Sequence, residues 1–140
     1  MTKAATDLSA VRGSVREPKL KVDLATTTSP AVSSRLSAWV DDQGLVLEGQ
    51  DVGPGVASIW GDSDYEYWLS VDRTHFREII NGLQGQLGRP APEAESGDDR
   101  DQHLLDLLKE CWTTGVFDTD VDFRRWLDAI KVPSDFSSYA

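Results

Sequence analysis

The stretch EGQDVGPGVASIWGDSDYEYWLSVD, residues 48 to 72, gathers much of the reactive side-chain chemistry of this 140-residue chain. It holds six acidic residues, four large aromatics and four glycines, with no lysine or arginine. Carboxylates at that density can work as an acid and base pair, ligate a hard cation, or present a negative surface to a basic protein. An acid and base pair needs one carboxyl desolvated so that its pKa rises toward neutrality. Asp51 and Glu66, with His75 downstream, are the residues that a small metal-dependent or hydrolytic enzyme would use here. Alternation along DYEYWLSV opposes that reading, because it puts Glu66 and Trp68 on one strand face and Tyr65, Tyr67, Leu69 and Val71 on the other. Glu66 is therefore expected on a solvated outer face.

Metal chemistry meets similar difficulty. Asp118, Asp120 and Asp122 alternate like the start of a calcium loop, as do Asp62, Asp64 and Glu66. An EF-hand requires glycine at loop position 6 and a bidentate glutamate at position 12. Phe123 and Ala129 fill those places in the first run, and Tyr67 fills the glycine place in the second. Acids at 118 to 122 fit a helix N-terminus instead, where the macrodipole favours negative charge. His75 and His103 fall in different expected helices, neither with a second ligand at i+4, where Ile79 and Leu107 stand. Cys111, the single cysteine, excludes an intramolecular disulfide and a thiolate-rich zinc site, and its place beside Trp112 in an apolar stripe predicts a buried, unreactive thiol. No GxSxG elbow, Walker loop or dinucleotide fingerprint occurs; DVGPGV and NGLQGQLG lack the required residues. No cofactor and no metal are expected, and no catalytic residue is assigned.

Aromatic content is more informative. Of five tryptophans, Trp112 and Trp126 fit helix stripes, whereas Trp39 and Trp68 fall on strand faces opposite the apolar alternation. If their strands are neighbours, Trp39, Trp68 and Glu66 make an aromatic patch ringed by acids, the composition of a binding hot spot. The candidate partner-binding set is Trp39, Glu48, Asp51, Asp62, Asp64, Glu66 and Trp68. Cover by EPKLKVDL or by the terminal FSSYA is the alternative for the same face.

The elements that must carry these residues can be read from periodicity. Residues 1 to 18 lack an apolar period and read as a disordered leader; in 19 to 34, Leu20, Val22 and Leu24 alternate as an edge strand would, followed by linker-like ATTTSPAVSS. The domain proper is expected over 35 to 140. Leu36, Ala38 and Val40, then Leu45 and Leu47, predict a hairpin around DDQG, with Gly44 able to take positive φ. ASIW reads as a short strand and GDSD as a turn before DYEYWLSV. Phe76, Ile79, Ile80 and Leu83 then switch to a helical period, with Asp72 or Thr74 as cap. A second helix carries Leu104, Leu105, Leu107, Leu108, Cys111 and Trp112, with Asp98 or Asp99 as cap. A third starts at Thr119, buries Phe123, Trp126, Leu127 and Ile130, and stops at Pro133, after which Phe136 and Tyr139 fold back. Strands first and helices afterwards predict an α+β fold: a small antiparallel meander packed on one face by about three C-terminal helices.

Bulk composition limits the partners. Formal net charge is −10, and residues 1 to 22 hold five basic residues against two acidic, leaving 22 of the 24 acidic and 9 of the 14 basic residues to the rest. Such charge disfavours nucleic acid and anionic membrane, and it suits a basic protein partner. Solubility alone accounts for comparable acidity in other proteins. No apolar run reaches the ~20 residues of a bilayer span and no secretory h-region opens the chain, so a cytoplasmic location is expected.

In order, LVLEGQDVG, DYEYWLSVD, LLDLLKECW and FRRWLDAIKVPSDFSSY resemble a group of small actinobacterial proteins of unknown function that share a GQD-x-G, YEY and WL pattern. The likeness spans residues 35 to 139. It implies a shared fold and assigns neither an activity nor catalytic residues. Size, acidity and the lack of catalytic motifs are also similar, by class, to toxin-neutralising immunity proteins. Two readings follow: an immunity-type or regulatory module that binds a basic protein, and the enzyme of Asp51, Glu66 and His75. A third, an acidic DNA mimic, requires carboxylates at phosphate intervals along an elongated face.

Overall fold

The computed structural model describes residues 20–56, 64–90 and 97–139. The disordered reading of residues 1 to 18, the ASIW strand and Asp62 fall outside them. Among the described residues, five strands form one antiparallel sheet in the order β1-β2-β3-β4-β5. They are β1 (Leu20–Thr28), β2 (Ser33–Val40), β3 (Gly44–Val52), β4 (Asp64–Asp72) and β5 (Asp135–Tyr139). A 3-10 turn, Arg73–His75, leads into α1 (Phe76–Gln86); α2 (Gly97–Thr113) and α3 (Asp120–Ala129) follow. The α+β meander with C-terminal helices read from the sequence is the fold observed.

Two segments extend the sheet beyond that reading. The strand starts at Leu20 and pairs through Thr28 with Ser33, so ATTT is strand where a linker was expected, and the sheet begins before residue 35. At the other end FSSY, expected only to fold back, pairs with β4 as β5. Both segments are edge strands of the sheet, at its opposite ends, and neither lies across its outer face.

Directly opposed residues share a face, which fixes the two sides of the sheet. Leu36, Ala38 and Val40 of β2, Leu45 and Leu47 of β3, and Leu69 and Val71 of β4 form the inner side and are buried with Leu24. Their cover is Phe76, Ile79, Ile80 and Leu83 from α1 and Leu104, Leu105, Leu107, Leu108 and Cys111 from α2. Removal of each valine, leucine, isoleucine or phenylalanine side chain among these from water contributes roughly 1.5–3 kcal/mol, so this interface dominates stability. Trp112, Phe117, Phe123 and Trp126 pack edge and face at 5.3 to 6.0 Å beneath it. Trp126 reaches α1 at Gly82, where a Cβ would come within 2.5 Å of the indole.

Local chemistry sets the element ends. Asp41 accepts from the Gln43 and Gly44 amides at 2.9 and 3.0 Å, which closes the β2–β3 turn. Gly44 does not use positive φ as expected. A side chain there would collide with the Val71 carbonyl oxygen across the strand pair, so closeness of backbones is what requires glycine. Asp72 caps the 3-10 turn by accepting from the Thr74 amide at 2.9 Å. Thr119 and Asp122 form a capping box on α3, so the acids at 118 to 122 do start a helix.

Arg73 ties the β2–β3 hairpin to the helices. Arg73 donates to both carboxylate oxygens of Asp101 at 3.0 Å and to the Asp41 and Asp42 carbonyls at 2.6 and 3.2 Å. Its guanidinium also lies 5.0 Å from the Phe76 ring centroid. Asp101 is buried, and the bidentate geometry supplies the partner that a buried carboxylate needs.

Candidate functional site

The side of the sheet away from the helices is assembled by register. Trp39 stands opposite Lys21 and Val46; Glu48 stands between Ser37 and Trp68; Glu66 stands between Gln50 and Tyr139; Asp64 faces Val52. Trp39, Glu48, Asp64, Glu66 and Trp68 therefore share one face, as the alternation predicts. Trp39 and Trp68 are separated by β3, and Glu48 stands on that strand between them. The Trp39 indole N–H donates to Glu48 Oε1 at 3.0 Å.

Exposure divides this set. Trp39 is only 7% exposed and its cross-strand neighbour Val46 is buried too, so Trp39 is not an open anchor for a partner. With its N–H satisfied by Glu48, it behaves as a packed indole that orients that carboxylate. Glu48, Glu66 and Trp68 are half-buried and Asp64 is exposed. Along β3, β4 and β5 this face carries Glu48, Glu66, Asp64 and Asp135 and no lysine or arginine. Arg35 and Lys21 lie farther across, on β2 and β1.

Asp51 belongs elsewhere. It pairs with Tyr65 and shares the inner face with Gly49 and Tyr67, so it does not join Glu66. Leu45, Leu47, Gly49 and Asp51 keep one parity, and the parity decides the side. In this corner the Tyr67 ring lies directly over Gly49, stacks 6.1 Å from Phe136, and Arg124 covers Phe136 at 4.1 Å. Burial, reinforced by Asp120, Asp51 and Tyr65, pushes the Tyr67 hydroxyl well above the ordinary tyrosine range. Burial likewise raises Asp120; Arg124, 3.8 Å away at one turn's spacing, opposes the rise and Asp51 adds to it. The phenol thus stays protonated at any physiological pH and is a packing group.

The residues of the enzyme reading are not brought together. Asp51 and Glu66 face opposite sides of the sheet, and His75 follows the far end of β4 from both. At ~3.3 Å per residue the run from Tyr65 to Asp72 separates Asp51 from His75 by roughly 20 Å or more. His75 instead meets Glu78 at 3.3 Å on its own helical turn, and His103 meets Gln84 at 3.1 Å. Cys111 is buried, and burial raises its thiol to about 11, as its place in the stripe implied.

Sequence reasoning missed β5. Phe136 is 40% and Tyr139 64% exposed, one on each side of the sheet, beside Asp135. An edge strand exposed on both faces has no apolar alternation to announce it. Among the described residues no helix is long and apolar enough to cross a membrane. Comparison with family models, curated proteins and solved structures finds no match.

Proposed function

We propose that this chain is a non-catalytic binding module, of immunity or regulatory type, that docks a basic protein on the acidic half of its outer sheet face. The observation that carries the reading is the juxtaposition of Glu48, Glu66, Asp64 and Asp135 around Trp68 and Tyr139, with no basic side chain on those three strands of that face. Acids at the rim steer a cationic partner and half-open aromatics supply the area that holds it. Asp62 lies outside the described residues, Asp51 is on the inner face, and Trp39 acts by orienting Glu48. The docking set is accordingly Glu48, Asp64, Glu66, Trp68, Asp135 and Tyr139.

Two features favour this over the other readings. The separation of Asp51, Glu66 and His75 leaves the enzyme reading without a constellation. Trp68, Gln50 and Ser137 interrupt the acids, which therefore form no continuous row of the kind a DNA mimic needs. Affinity capture of the tagged full chain from its native cells at low and high salt, followed by mass spectrometry, tests the reading. Recovery of one basic protein, depleted at high salt, is the expected result; recovery of a small-molecule-metabolising assembly unaffected by salt would overturn it.

A further inference from the structure

The two edges of the sheet are treated differently. On β1 the register slips between Asp23 and Ala25, a bulge that spoils further pairing, and Lys109 of α2 donates to the Asp23 carbonyl at 2.6 Å. β5 has neither device. All five residues from Asp135 to Tyr139 are exposed, the strand contains no proline, lysine or arginine, and among the described residues no strand lies beyond it. Alternate N–H and C=O groups of such a strand point outward with no ladder partner.

Resting on the docking reading above, we infer that β5 is an open edge to which an extended segment of the basic partner adds as a sixth strand, alternating lysine or arginine with apolar residues. The alternation follows from what each side offers. Outer-face residues of the added strand meet the Asp135 carboxylate at one end and, at the other, Tyr139 with Glu66 behind it and Asp64 just beyond the ladder, which selects cations at those positions, with Ser137 between them. Inner-face residues meet Phe136, whose ring is already covered by the Arg124 guanidinium at 4.1 Å, which rejects cations there and selects apolar side chains. Main-chain bonds to β5 supply affinity and these alternating positions supply specificity. A second copy of this chain is the disfavoured occupant, because it brings a net charge of −10 against −10 and sets Asp135 near Tyr139 without a cation.

The test uses the full chain and two fluorescein-labelled heptapeptides, one alternating lysine and valine, the other identical except for a central proline that keeps its charge and removes one N–H. Strand addition predicts saturable binding of the first, about ten-fold or more loss with the second, and slowed amide exchange at residues 135 to 139 in the first complex only. Equal binding of both, with chemical-shift changes centred on Glu48 and Trp68, overturns strand addition and leaves the docking face standing. Binding of neither peptide at millimolar concentration also overturns strand addition, and the docking face is then judged by salt-dependent capture alone. Dimerisation of the free chain through β5 in sedimentation, abolished by Ser137→Pro, would make a second copy the occupant and overturn the choice of a basic segment.

Discussion

Replacement of Gly49 by alanine probes why GQD stands where it does. Gly49 has no positive φ, so backbone strain is not the reason for glycine. A Cβ there would instead fall within the Tyr67 ring, which crosses the strand pair directly over it. The ring cannot swing freely, because Phe136 stacks on it and Arg124 lies over Phe136. Overpacking of this kind costs about 1–3 kcal/mol. Where no ring opposes it, the same Gly→Ala change stabilises by about 0.4–1 kcal/mol through the unfolded chain. The double-mutant cycle of Gly49→Ala with Tyr67→Ala is therefore expected to show about 2–3 kcal/mol of coupling, at the upper end for residues in contact. Urea unfolding followed by tryptophan fluorescence reads it as midpoint shifts at constant slope. Gly49→Ala should lower the midpoint in the wild-type background and leave it unchanged or raised in Tyr67→Ala. Equal loss in both backgrounds would refute the ring contact and point to the backbone.

Three further expectations follow from other parts of the structure. Asp101→Asn removes the bidentate partner of Arg73; because Arg73 keeps two carbonyl bonds and some solvent, the loss should be about 2–3 kcal/mol, at or below the bottom of the ~3–5 kcal/mol range for fully buried pairs, measured by urea unfolding. Asp72 and Asp122 are held below the ordinary carboxylate range, both chiefly by accepting from backbone amides. A depressed folded pKa contributes stability that is present above the unfolded value and lost as pH falls through the folded one, so the Asp72→Asn/Asp122→Asn variant should show a shallower loss of stability on acidification below the ordinary value of 3.8. Cys111, buried and with its thiol raised to about 11, should resist a thiol reagent at neutral pH in the folded chain and react fully in denaturant; rapid reaction in the native state would contradict its placement.

The legible part of the fold is the part whose residues differ between the two faces. Leu36, Ala38 and Val40, then Leu45 and Leu47, then Leu69 and Val71 announce the central strands, since one side is covered by helices and the other is not. Phe76, Ile79, Ile80 and Leu83 announce α1 for the same reason. The edges were not legible in full: ATTT of β1 and FSSY of β5 are exposed along most of their length and owe their structure to a neighbour's backbone. Parity assigned Glu66, Trp68 and Trp39 to one face, and the same parity, extended from Leu45 and Leu47 through Gly49, would have assigned Asp51 to the other. The burial of Trp39 could not be read from its own strand, because burial depends on what packs across it. Nor could its bond to Glu48, which depends on the register of β2 against β3. His75 shows the converse limit: nearness in sequence to the acidic segment placed it at the far end of β4.

Charge reversal on the acidic outer face of β4 tests the docking surface most directly. The protein partner recovered at low salt would be titrated against the wild-type chain and against the Asp64→Lys/Glu66→Lys variant at two salt concentrations, after thermal unfolding has shown both to be folded. The docking reading predicts affinity weakened by about ten-fold or more at low salt, a smaller difference at high salt, and a flatter salt dependence for the variant. Unchanged affinity and unchanged salt dependence would show that the partner does not bind this face of the sheet.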